Sequence, residues 1–172
     1  MPRPVYFDTS VFLEIGAKRS KHSKNIRALL KELKMDKVRI YTSILTIQEV
    51  SVLSYRRGAL ARDDYGKVSA FARIAGISKD IALTAAKREA EIKDDAKKDM
   101  EDNRRRKWDC FHIATAQQLN CSTLYTTDNK LLNRRKQLGI VDIRFSVPIS
   151  IGTPELDFSA KSEKPQDAST SQ

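Results

Sequence analysis

Short β-prone runs, most of them followed by a helix-forming stretch, recur along this chain, and that order constrains the fold more than any other feature. The runs are PVYFD (4–8), VRIYTS (38–43), STLYTT (122–127) and VDIRFSV (141–147). Strands joined through helices make crossovers, not hairpins, so an α/β fold is expected, with a mainly parallel sheet and helices on both faces. After Asp8 a short helix is expected in TSVFLEIGAK. Ile26, Leu29, Leu30 and Leu33 then recur at helical spacing. TIQEVSVLSYRRG predicts a helix over 46–58 stopped by Gly58, and another is expected over 62–75, closed by Gly76. Further helices are expected over 87–107, 109–119 and 128–139.

The length of 172 residues and 40% apolar content fit one domain with its own core, set at 1–151, and the Ser-, Pro-, Lys- and Glu-rich stretch 152–172 reads as a disordered tail. No apolar run approaches the ~18 residues of a membrane span, and MPRPVYFD lacks the features of a signal peptide, so a cytoplasmic chain without membrane association is expected. Cys110 and Cys121 lie too far apart on one helix to bridge easily. With only His22 and His112 beside them, no zinc spacing can be assembled, and both thiols read as packing residues. The net charge is +10. Because the last twenty residues carry four acids against two lysines, the remainder holds +12. Such an excess suits a polyanion such as nucleic acid, although a basic surface that serves only solubility is the simpler alternative.

KWDCFHIATAQQL (107–119) poses a sharper question. Asp109, Ile113 and Ala116 fall within about 60° on a helical wheel, so a carboxylate starts the apolar stripe. Burying it is costly unless something compensates. Asp8 and Asp128 each follow a β-run, and Glu49 and Asp109 each fall in the expected first turn of a helix. In an open α/β sheet these positions gather along one edge, where such folds bind ligands. Each acid also has a structural role open to it: Thr46-x-x-Glu49 has the form of a capping box, Asp128 and Asp8 fit as caps, and Asp109 can complement a helix dipole. If the four converge, their repulsion calls for a cation, and an all-oxygen cluster selects Mg²⁺ or Mn²⁺. Metals held so lower the pKa of a bound water and suit phosphodiester hydrolysis.

VYFDTSVFL, ILTIQEV, WDCFHIATA and LYTTDNKLL, taken in this order, resemble the four acidic motifs of PIN-domain ribonucleases, particularly the VapC-type toxins and their relatives. The resemblance covers roughly residues 4–148. It implies a three-layer α/β/α sandwich and a metal-dependent endoribonuclease. Asp8, Glu49, Asp109 and Asp128 would be its acidic quartet, with Ser10 and Thr126 in support. Lys130 stands where some members carry a further acid, which leaves open whether one or two metals bind. RNA is the implied substrate; a cognate antitoxin and a second copy of the chain are the protein partners it admits.

Arg56 and Arg57, Arg104, Arg105, Arg106 and Lys107, and Lys130, Arg134 and Arg135 are the candidate phosphate contacts, each equally readable as solvated surface. The polar stretch 87–107 has Glu89/Lys93, Asp94/Lys98 and Glu101/Arg105 in favourable i,i+4 order and reads first as a solvated helix. A single tryptophan gives no evident platform for stacking bases. Two alternatives to the nuclease are a non-catalytic RNA- or protein-binding module on the same fold and a phosphatase with Asp8 as nucleophile. Ser10, where a second Asp would be needed, argues against the latter.

Overall fold

The computed structural model describes residues 2–17, 20–58, 62–92 and 100–149, with backbone alone for 62 and 100–105. The expected tail over 152–172 lies outside the described residues. In chain order the elements are β1 (Val5–Phe7), α1 (Thr9–Gly16), α2 (Ser23–Met35), β2 (Ile40–Ser43), α3 (Ile44–Arg56), α4 (Arg62–Ser69), β3 (Arg73–Ala75), α5 (Lys79–Glu91), α6 (Met100–Gln118), β4 (Thr123–Tyr125), α7 (Asn129–Gln137) and β5 (Arg144–Ser146). The five strands form one sheet in the order β3-β2-β1-β4-β5, and every pair is parallel.

Alternation along β1 builds the three layers. Val5 and Phe7 face a cluster that holds Val11, Ile26, Leu29 and Leu33 from α1 and α2, with Val68 from α4. Tyr6 points the other way, into Ile113 and Ala116 of α6, Leu131 of α7, and Leu124 and Phe145 of the neighbouring strands. A third cluster joins Ile81, Ala85 and Ile92 to Cys110 and Ala114 of α6. Both cysteines are buried and free. Among the described residues no helix is long and apolar enough to cross a membrane.

Three local expectations are corrected. The helix expected over 62–75 ends at Ser69, and Arg73–Ala75 pairs with Tyr41–Ser43 as the edge strand β3. FARIA has no strand signature of its own; pairing with a distant strand decides it, which propensity does not report. The helix after β2 begins at Ile44, capped by the Ser43 side chain, which accepts from Leu45 N. Thr46 therefore lies inside the helix, and no capping box forms. The expected single helix over 87–107 ends at Glu91, with Ile92 buried in the third cluster. Residues 93–99 lie outside the described residues, and α6 runs unbroken from Met100 through Asp109. Gly58 and Gly139, at φ +70° and +58°, follow α3 and α7 in the left-handed conformation that ends many helices.

The chain leaves the central strand β1 toward β2 and β3, then crosses back to β4 and β5 on the other side. At this reversal the crossovers diverge and leave a crevice beyond the strand C-termini. Ile113 is fully buried between sheet and helix, whereas Val141 is 87% exposed. In urea unfolding, Ile113→Ala is expected to destabilise the protein by about 2–5 kcal/mol, and Val141→Ala to stay within about 0.5 kcal/mol.

Candidate active site

The crevice beyond β1 and β4 is a cleft of about 390 Å³, and Asp8, Glu49, Asp109 and Asp128 all line it. They arrive by four routes. Asp8 is the residue after β1 and caps α1, its Oδ2 accepting from Ser10 N at 3.3 Å. Asp128 caps α7 by accepting from Lys130 N at 2.8 Å. The capping roles open to these two acids are thus real, and both side chains still line the cleft.

Glu49 and Asp109 are not in first turns as expected. Glu49 is the sixth residue of α3 and Asp109 the tenth of α6. The nineteen residues of α6 span about 28 Å, far more than the ~10 Å of a three-residue strand, so the helix overhangs the sheet and a mid-helix residue reaches its edge. Neither acid caps a helix, and Asp109 cannot answer a dipole from this position.

Hydroxyls knit the strand ends together. Thr126 Oγ1 donates to Asp8 Oδ2 at 3.0 Å and accepts from Asp128 N at 3.0 Å. Ser10 Oγ accepts from Thr127 N at 2.9 Å and lies 3.1 Å from Thr126 Oγ1, free to donate to it. On the other side Thr9 donates to Glu49 Oε2. Its Oγ1 also lies 3.1 Å from Thr46 Oγ1, itself 2.7 Å from Thr42 Oγ1, and Thr42 donates to the Phe7 carbonyl at 2.8 Å. Each buried hydroxyl has a partner, as burial demands.

Two basic side chains inside the fold answer the acids. Arg134, 4% exposed, pairs through Nε with Asp109 Oδ2 at 3.1 Å. His112 is buried, with Nε2 3.3 Å from Glu49 Oε2 and 3.6 Å from Asp8 Oδ1, and Nδ1 2.7 Å from Tyr6 Oη. A neutral ring protonated on Nε2 donates to Glu49 and accepts from the Tyr6 hydroxyl. Burial pushes the Asp109 carboxyl up to about 7, Arg134 opposes that, and the charges of Asp8 and Asp128 add to it. Burial alone would raise Glu49 too, but the His112 hydrogen bond and charge and the Thr9 hydroxyl outweigh it, and its pKa is lowered. Burial would lower His112, yet the Glu49 hydrogen bond and the charges of Asp8, Glu49 and Asp109 leave it raised.

The close convergence expected of the quartet is not reached. Among the described residues no three Asp, Glu, His or Cys side chains stand close enough to hold one ion between them. The acids surround one cleft, each engaged by partners of its own: Thr9 and His112 on Glu49, Thr126 on Asp8, Arg134 on Asp109 and the α7 backbone on Asp128. The donor set nevertheless suits a hard divalent ion, being four carboxylates around one cavity, and after burial the charges of Asp8 and Asp128 add to the rise at Asp109.

The expected phosphate contacts divide. Lys107 and Lys130 are exposed, whereas Arg134 is committed to Asp109 and buried, a core position where a surface one was expected. Arg135 donates to the Ile140 carbonyl at 3.2 Å. Arg56 is exposed at the end of α3, and Arg57 lines a separate cavity among α1, α3 and α4. Arg106 is partly buried, and the side chains of Arg104 and Arg105 lie outside the described residues. Thr9, His112 and Trp108, for which no role was expected from the sequence, also line the cleft. One signal was available for His112: it follows Asp109 by three residues on a helix and so shares its face.

This fold agrees with the comparisons. The PIN domain profile matches residues 5–137, and the chain belongs to the PIN domain family. The four acidic segments resembled that same family. Among solved structures, the toxin–antitoxin complex from Klebsiella pneumoniae has 21% identity and a TM-score of 0.55, covering 86% of this chain and 99% of its own. Mycobacterium tuberculosis VapC20, described as a sarcin–ricin loop cleaving toxin, has 18% identity and a TM-score of 0.52, covering 81% and 98%. At these identities the likeness is one of fold. No curated protein sequence matches the chain.

Asp109 and His112 both hold protons in the folded protein at pH values where the unfolded chain has released them. Folding therefore binds protons between about pH 4 and 7 at Asp109, and above the ordinary histidine range at His112, so stability falls as pH rises through that window. In EDTA the melting temperature is expected to drop between pH 5 and 8, and Asp109→Asn to flatten the drop. A melting temperature that climbs over this range would contradict the assigned shifts.

Proposed function

We propose that this protein is a metal-dependent endoribonuclease that hydrolyses RNA phosphodiester bonds, and that it is the toxin of a toxin–antitoxin pair. What carries the proposal is the meeting of Asp8, Glu49, Asp109 and Asp128, from four separate elements, around one cleft at the strand-order reversal of a PIN fold. Those four are the residues that would hold Mg²⁺ or Mn²⁺. Such an ion, when bound, acidifies water and offsets charge that builds on the phosphodiester during attack.

The chain's own groups prepare the site. Thr126 and Ser10 hold the Asp8 carboxylate and the backbone at Asp128, Thr9 and His112 hold Glu49, and Arg134 holds Asp109. The acids are thereby oriented before substrate arrives, which is where most of the benefit of a preorganised polar site lies. Lys107 and Lys130 stand exposed near Asp109 and Asp128 and suit phosphate oxygens without reading sequence. RNA as substrate is supported by the VapC20 structure, described as that of a sarcin–ricin loop cleaving toxin, and an antitoxin partner by the Klebsiella complex. On this reading the chain works in the cytoplasm, where RNA and an antitoxin meet it, and self-association is an arrangement open to it.

Incubation of the purified protein with structured and single-stranded RNAs, in Mg²⁺, Mn²⁺ or EDTA, tests the proposal. Cleavage is expected only with metal, with about a hundredfold loss or more in Asp8→Asn and about 10- to 100-fold in Thr126→Val. Cleavage that persists in EDTA or in Asp8→Asn would sink it. RNA bound tightly but never cut with either metal would point to a non-catalytic binding module instead.

A further inference from the structure

The cleft is not wholly polar. Leu13 of α1, Val52 and Leu53 of α3, and Trp108 of α6 line it together with the carboxylates. Leu13 is 37% exposed, a large apolar side chain left open to solvent beside a ring of acids. Trp108 is only partly buried and leans on Phe111, ring centroids 6.0 Å apart and planes at 39°, a contact that props the indole on α6. Phosphate and a metal ion need oxygen and positive charge and gain nothing from such a wall. The one flat, weakly polar component of a nucleotide chain is its base.

From this we infer that Trp108 is the base-stacking residue of the cleft, seating an unpaired base against the indole in the cleft that Leu13, Val52 and Leu53 also line, beside the bond to be cut. The inference rests on the endoribonuclease reading and adds to it the side chain that seats a base. In a duplex both faces of a base are covered by its neighbours and none is left for the indole, whereas an unpaired base offers a face whatever its identity. The exposed Lys107 precedes Trp108, so a phosphate contact and a stacking face adjoin on one stretch of helix, the pairing by which single strands are commonly held. Trp108 thus acts on where the RNA lies, while the acids act on the bond.

Trp108 is the only tryptophan in the chain, so its emission reports on this cleft alone when excitation avoids the five tyrosines. Binding is best followed in Asp8→Asn protein with Mg²⁺, where RNA stays intact, using a short single-stranded RNA of mixed sequence and the same strand annealed to its complement. Fluorescence anisotropy of a label on the RNA gives affinity independently. The single strand is expected to quench Trp108, and the duplex to bind about tenfold more weakly or worse. Adding Trp108→Leu should weaken single-strand binding about tenfold, and Trp108→Phe should restore most of it. Emission unchanged at saturation, or Trp108→Leu binding as tightly as its parent, overturns the inference. The emission measurement leaves Trp108 in place, so it stands even if the leucine variant fails to fold. A wild-type chain that cuts RNA with metal while Trp108 stays unquenched removes the stacking role alone; a wild-type chain that never cuts removes the nuclease reading beneath it.

Discussion

The structure depends on one pairing, that of β1 with β4. The two strands are far apart in the chain, yet Tyr6 lies beside Leu124 and Phe7 beside Tyr125, with the two rings of the latter pair 5.6 Å apart. Because the pairing is parallel, both strands end at the same edge, and the residues that follow them, Asp8, Ser10, Thr126 and Asp128, come within hydrogen-bonding reach. An antiparallel pairing would have sent Asp8 and Asp128 to opposite edges. The same pairing is where strand order reverses, so the crossovers part there and leave space for a cleft.

A second constraint is charge. Four carboxylates round one cleft would repel, and the fold answers with a buried arginine and a buried histidine brought from α7 and α6. Buried ion pairs are weak sources of stability, because desolvation offsets much of the attraction. Arg134 and His112 are better understood as making the acids tolerable than as holding the fold together. Asp109, pushed up to about 7 by burial first, shows how incomplete the compensation is.

Much of the architecture was legible because periodicity is a local property. The β-prone run VYF and the helical spacing from Ile26 to Leu33 mark a strand and a helix with a buried face, and strand–helix units of this kind leave few folds to choose from. β3 was not legible, since Arg73–Ala75 becomes a strand only by pairing with β2. The start of α3 was misplaced because Thr46 and Glu49 have the spacing of a capping box, while the Ser43 hydroxyl made the cap. The four acids could be named from their motifs, but their partners could not. Nothing in NRRKQ marks Arg134 as buried and the other basic residues as solvated; that depends on which face of α7 meets α6.

By itself the sequence determined the fold class, the helical stripe that starts at Asp109, and the four acids that line the cleft, because each is written in spacing along a few residues. Only the tertiary structure decided that α6 overhangs the sheet far enough for a mid-helix aspartate to join the strand ends. It alone turned Arg134 inward, set His112 between two carboxylates and put Trp108 on the cleft wall. These are facts of packing between elements remote in the chain, and packing is settled by the mutual fit of surfaces, which no single stretch of residues carries.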